Sequence, residues 1–433
     1  MTNRSEFSGP IINKKRGGLG RSGQTNEDKV FGLVCCGVAT TEYATLGTIV
    51  PILSIDDAEA LGFTAAYDAA NKVLVWNRIA RFFEYEPLAK LWLMVVPQAT
   101  TQTEMWDKED ANKYVYKLIT DETVNREIRV VMTARNPPAT GYTPTYTTGL
   151  ETDVVTASAK AAELIADLLS KFIYVDGAVI EGRLQANAAI ATLPDLAALN
   201  DEAVTISIAQ DPALASLDAA FARYADVESV GGMLAVRKVS ECLGSVNVAN
   251  KPDAFKGSET YSLTRDARGY YISAQISSGK KYSELSENEK IALANKRYVF
   301  SGKYEGIDGI YFNDSHTNIE ALDDYAYIED NRVWNKAARK VRRALLPIMK
   351  GEIEVDPTTG FLPDTQIASY QEKGKNSVKS MVQANEIAGE PTIVIEPNQD
   401  VVGTGKVFMA ISYVRNGILR VLEADLGATN PAA

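Results

Sequence analysis

One histidine and three cysteines in 433 residues leave little material for metal or redox chemistry. His316 stands alone, so no imidazole set with transition-metal spacing can be assembled, and the many carboxylates contain no EF-hand loop. Cys35 and Cys36 are adjacent inside an apolar run and Cys242 is distant, which gives neither an even-numbered disulfide framework nor a zinc pattern. A reducing folding compartment is expected, with no cofactor and no metal. Long apolar runs are also missing. The best candidate, Leu91 to Val96, ends at Pro97 and falls far short of the roughly 20 residues that cross a bilayer. Arg4, Lys14, Lys15 and Arg16 have no apolar stretch close behind them, so the start does not read as a secretory signal. No membrane partner is expected.

Catalytic signatures are scarce as well. Gly17, Gly18, Gly20 and Gly23 lie in a polar stretch, and Gly403-Thr404-Gly405-Lys406 has Asp400 where a phosphate loop carries glycine and Val407 where it carries Ser or Thr. Asp314, Ser315 and His316 gather the residue types of a hydrolase triad, but triads are assembled in space from separate segments, and no G-x-S-x-G elbow occurs. His316 reads as a residue capping a loop, and the chain reads as a non-enzyme. Positive charge is in deficit, with 45 Lys and Arg against 56 Asp and Glu and a net charge of -11. Nucleic acid, held mainly by phosphate neutralisation, is therefore not an expected partner.

What is present suits a globular protein: 45% hydrophobic and 23% charged residues, enough for one large or two ordinary domains. Residues 1–27 are polar, basic and glycine-rich and read as an arm. Buried strands are expected at Val30 to Cys36, Leu91 to Val96, Ile128 to Met132, Ile173 to Val179 and Val204 to Ala209. Helical periodicity marks Thr64 to Phe83, Ala161 to Phe172 and Met233 to Val248. Strands alternating with helices imply crossovers and a mainly parallel sheet. The fold class is α/β: an α/β domain over 28–300, a smaller α+β C-terminal domain over 301–414, and extended N- and C-terminal arms at 1–27 and 415–433. Asn136 to Thr148 reads as a loop. Ser286 and Glu289 form a capping box before a short helix, Tyr304 to Phe312 is strand-like, and extended segments follow at Pro391 to Ile395, Val407 to Val414 and Ile418 to Leu422.

The sharpest signal is the helix near Asn331 to Leu346. At about 100° per residue Arg332, Lys336, Arg339, Lys340 and Arg343 share one face, and Trp334, Ala338, Val341, Leu345 and Ile348 the other. The apolar face reads as core packing and the basic face as a grip for an acidic partner, with plain solvated surface as the alternative. Asn416-Gly417 between apolar runs is a hairpin signal. The competing reading is that Ile418 to Leu422 leaves its own subunit and adds to a neighbour's sheet edge.

In its order of segments the chain resembles contractile tail sheath proteins of phages and phage-like injection systems. The residues that carry the likeness are VFGLVCCG at Val30 to Gly37, Leu61-Gly62-Phe63 with Phe82-Phe83, the helix within Leu285 to Asn295, GIYFNDSHT at Gly309 to Thr317, and the helix within Tyr327 to Leu346. The resemblance implies an outer α/β domain and an inner domain facing a tail tube. The subunit would polymerise helically on itself around the tube, contact baseplate and tail terminator proteins, and contract to drive the tube through a target envelope. It also implies an acidic tail tube protein gripped by Arg332, Lys336, Arg339, Lys340 and Arg343, and strands donated between subunits by Ile11 and Ile12 in the first arm and by Ile418, Leu419, Val421 and Leu422 in the last. The implied location is a virion tail or injection particle assembled in the bacterial cytoplasm. The alternatives are another self-assembling surface or capsid component, or an α/β enzyme with a site at the carboxyl ends of its strands.

Overall fold

Strand β1, Val30–Gly37, is buried at every position, as expected of a central parallel strand covered on both faces. A computed structural model describes residues 27–135, 143–246, 261–424 and 426. The expected arm residues Ile11 and Ile12, and most of the 136–148 loop, lie outside the described residues. Five further strands join β1 in one sheet: β2 (Ile49–Ile52), β3 (Lys90–Pro97), β4 (Val130–Ala134), β5 (Gly177–Glu181) and β6 (Val204–Ser207), in the order β2-β3-β1-β4-β5-β6. All pairings are parallel except that of edge strand β2 with β3. The mainly parallel α/β sheet expected from the alternation of strands and helices is therefore present.

Side-chain alternation sorts each strand between two cores. Phe31, Leu33 and Cys35 of β1, with Leu91, Leu93 and Val95 of β3, enter one; Val34, Cys36, Trp92, Met94 and Val96 enter the other. Helices α1 (Val75–Tyr85) and α3 (Glu228–Val236) cover the first face, and α2 (Thr152–Ser170) the second. The backbones of α1 and α3 come close: a Cβ at Gly232 would sit 2.9 Å from the Phe82 carbonyl oxygen and 3.1 Å from Tyr85 Cβ.

The single helix expected over Thr64 to Phe83 is instead two. Lys72 turns left-handed (φ 55°) and ends the first, Ala65–Asn71. The Asp68 carboxylate then accepts from the backbone N–H groups of Trp76 (3.2 Å) and Asn77 (2.9 Å) and so starts α1. The expected helix from Met233 to Val248 begins earlier and ends at Val236.

Helix α4 (Ile328–Leu345) opens a smaller C-terminal unit, followed by α5 (Asp364–Gln383), β7 (Ile387–Val394) and β8 (Ala410–Arg415), the two strands pairing antiparallel. Val333 and Ala337 of α4, Val378 and Met381 of α5, Ile387 of β7 and Val239 form its core. The expected division at 300/301 falls in a segment whose Val299, Phe300, Ile310 and Phe312 complete the cores of the large sheet. No helix is long and apolar enough to cross a membrane among the described residues.

Candidate assembly surfaces

Helix α4 lies across the amino ends of the parallel strands. Asp28 precedes β1, Arg129 precedes β4 and Asp176 precedes β5, and all three meet the helix face that carries Arg332, Lys336 and Arg339. Lys336 Nζ donates to Asp28 Oδ2 at 2.5 Å and to Glu386 Oε1 at 2.6 Å; Arg339 Nη1 donates to Asp176 Oδ1 at 2.6 Å. Arg332 is fully buried beside the same carboxylates. This corrects the expected orientation of the helix. Three of its five face cations point inward, while Trp334, Ala338, Val341, Leu345 and Ile348, expected as core, are only half-buried.

The physical reason is that three carboxylates from distant segments already stand at this end of the sheet. Cations brought to them are compensated, where unpaired ones would not be. Burial raises the Asp28 carboxyl, but Lys336, then Arg332 and Arg339, outweigh it and hold it below the usual carboxylate range. At Asp176 burial wins over Arg339 and Arg129 and pushes the carboxyl up. Arg129 is pulled down to about 10, first by burial and then by Arg339. The remaining two face cations sit nearer solvent. Lys340 (3.8 Å) and Arg343 (3.3 Å) approach Glu27, and the Arg343 side chain is 73% exposed. Beyond them, Leu345, Ile348, Met349, Tyr370, Val402 and Phe408 line an open cleft of about 910 Å³. Met349, Val402 and Phe408 are exposed there, an apolar patch of the kind that marks protein contacts.

The C-terminal segment does not form the local hairpin. Strand β8 pairs back to β7, and residues 416–424 make no strand or helix. Neither Asn416 nor Gly417 takes the positive φ that a type I′ turn requires. Ile418 is half-buried, whereas Leu419 (74%), Val421 (72%) and Leu422 (75%) are exposed. Arg420 reaches back to Asp314 and Glu329 (2.5 Å) at the start of α4, and Arg415 pairs with Asp330 at 2.5 Å.

Beside that anchor, His316 is buried, which pulls its imidazole down to about 4 and keeps it neutral. Ser315 Oγ donates to Glu329 Oε2 at 2.5 Å, so the adjacent Asp-Ser-His does not assemble a triad. No group of three or more metal-ligating side chains occurs among the described residues.

The opposite end of the sheet, where an open α/β enzyme holds its ligand, is filled by the chain's own charges. Arg78 Nη1 donates to Glu228 (2.6 Å) and Nη2 to Glu181 (3.0 Å) at the end of β5. Arg81 pairs with Asp211 at 2.6 Å, and Arg135, following β4, donates its backbone N–H to Glu181. Sequence reading missed these pairs and the α4 partners Asp28, Asp176 and Glu386, because each joins residues far apart in the chain.

Residues 7–316 match the DUF2586 N-terminal domain, and residues 324–433 match the DUF2586 C-terminal domain. The chain belongs to the DUF2586 family. No curated protein matches it. Among solved structures, this DUF2586 chain is similar to a chain of the anti-feeding prophage (AFP) helical sheath in contracted state, at TM-score 0.56 and 14% identity, covering 99% of this chain and 100% of that one. A chain of the six-fold symmetrised AFP baseplate gives TM-score 0.57, 14% identity and the same coverage. A chain of the contracted PVC sheath complex, from an extracellular contractile injection system, gives 0.51 at 10% identity, covering 100% of both chains. At these identities the likeness establishes a shared fold.

Proposed function

We propose that this DUF2586 protein is a structural subunit of a contractile sheath, polymerising helically around a tail tube and contracting to drive it through a target envelope. The observation that carries the reading is the end-to-end likeness of the fold to chains of the AFP and PVC sheaths. A likeness over 99% of this chain includes the C-terminal unit as well as the α/β sheet, which sets it apart from a shared sheet alone. The charge-filled carboxyl end of that sheet weighs against the alternative of an enzyme.

In this reading the partners are further copies of the chain, a tail tube protein, and baseplate and terminator proteins, in a tail or injection particle assembled in the bacterial cytoplasm. Residues 1–27 and 415–433 act as arms, with Ile11, Ile12, Ile418, Leu419, Val421 and Leu422 as donated apolar positions. The C-terminal unit faces the tube. Of the five cations first assigned to the grip, Arg343 is the one exposed enough to reach a partner, with Lys340 beside it. Arg332, Lys336 and Arg339 hold the helix to its own sheet. Negative-stain microscopy of the purified full chain tests the proposal: tubes or rings are expected, and a monodisperse monomer at high concentration would overturn it. Co-purification with a small acidic tube protein separates a sheath from other self-assembling surface or capsid components.

A further inference from the structure

Five residues after β8 ends, Arg420 enters a socket assembled from two other parts of the chain. Its Nε lies 3.0 and 3.2 Å from the two Asp314 carboxylate oxygens, and its Nη2 donates to Glu329 Oε1 at 2.5 Å. The guanidinium stacks 3.5 Å from the centre of the Tyr327 ring. The socket is held from behind. Ser315 Oγ donates to the second Glu329 oxygen at 2.5 Å, and Cys242 Sγ lies 3.1 Å from Asp314 Oδ1. Planar, forked recognition of two carboxylates over an aromatic face is a task for arginine specifically, since lysine offers one point charge and no plane.

Around this residue the segment 416–424 has no regular structure, and one further side chain, Asn416, bonds back through its Nδ2 to the Asn385 carbonyl at 2.8 Å. With Arg420 docked, Ile418 is half-buried and Leu419, Val421 and Leu422 are exposed. We propose that Arg420 is a positioning residue: its socket of Asp314, Glu329 and Tyr327 fixes the path of the C-terminal segment, so that these exposed apolar residues are presented to a second copy of this chain. The proposal rests on the sheath reading for the identity of the partner, but not for the anchoring itself.

Two measurements on the full chain separate these layers. A nitroxide placed on Leu422→Cys reports the segment's mobility by electron paramagnetic resonance, and the three native thiols, all buried, do not compete for the label. Arg420→Ala should free the label, narrowing its spectrum, at a temperature where circular dichroism shows the variant still folded, and Arg420→Lys should give intermediate mobility. In the unlabelled chain Arg420→Ala should lower the sedimentable assembly by about fivefold or more, with partial recovery in Arg420→Lys. A label equally mobile in wild type and Arg420→Ala overturns the proposal, as does a freed label with wild-type assembly. If the wild-type chain does not assemble at all, the sheath reading falls, and the mobility comparison still decides whether Arg420 fixes the segment. Should Arg420→Ala fail to fold, Asp314→Asn removes one of the socket's two carboxylates from the other side and is read in the same direction.

Discussion

Replacing Lys336 with methionine distinguishes a helix face turned inward from one that grips a partner. The lysine bridges Asp28 and Glu386 at 2.5 and 2.6 Å, with only 10% of its side chain exposed. Removing one member of a buried ion pair costs about 3–5 kcal/mol, because the partner charge stays desolvated; an exposed pair is worth about 0–1 kcal/mol. Asp28 keeps a second cation, Arg339 at 3.5 Å, so most of the loss is expected from Glu386. If the chain unfolds as one unit, its unfolding entropy at about 2 cal/mol/K per residue sums to about 0.9 kcal/mol/K, and the melting temperature should fall by about 3–6 °C. Calorimetry and urea denaturation would measure it. The Lys336→Met and Glu386→Gln double-mutant cycle should show a coupling that barely changes between low and high salt, since buried pairs are weakly screened. A loss under about 1 kcal/mol that vanishes in salt would refute the inward face and restore Lys336 to the surface.

Three further outcomes follow from the geometry. Gly417→Ala should change stability by less than about 0.5 kcal/mol in urea denaturation, because a Cβ there meets nothing and no positive φ is required; a type I′ turn would lose more. Gly232→Ala should cost about 1–3 kcal/mol in the same assay, by forcing α3 away from the Phe82 carbonyl. Burial pushes the Glu329 carboxyl up to about 7 against the pull of Arg420. A folded-state pKa above the unfolded one gives stability that is full below about pH 4 and lost as pH rises through about 7. Melting temperature should fall over that window, and Glu329→Gln should flatten the slope.

The large sheet was legible because most of its parallel strands carry a short, continuous apolar run, and burial on both faces is what such a run encodes; β6, Val-Thr-Ile-Ser, is the exception. Boundaries shifted where one residue made the difference. Lys72 breaks a helix whose periodicity runs on through it, and the second helix starts because Asp68 folds forward to cap it. Helix α5 was missed because its buried positions, Ile367, Gly374, Val378 and Met381, are spread thinly through a polar stretch. The basic face of α4 was correctly grouped by helical arithmetic and wrongly oriented. Periodicity reports which residues share a face, and burial depends on Asp28, Asp176 and Glu386, which no window around the helix contains. Asn416-Gly417 failed for a related reason: β8 had already found its partner in β7, so the turn had no strand left to pair.

Both ends of the described chain are tied to one rod. Glu27 and Asp28 are ion-paired along the middle and carboxyl half of α4, and Arg415 and Arg420 are fastened to its first turn through Asp330 and Glu329. A tensile load entering through residues before Glu27 would reach these ion pairs before it reached the hydrogen bonds of β1. From there it could leave through the C-terminal segment without crossing the sheet. In mechanical terms α4 is a tie-bar set in parallel with the sheet, which the same stretch meets through the Arg129 side chain on the Glu27 carbonyl.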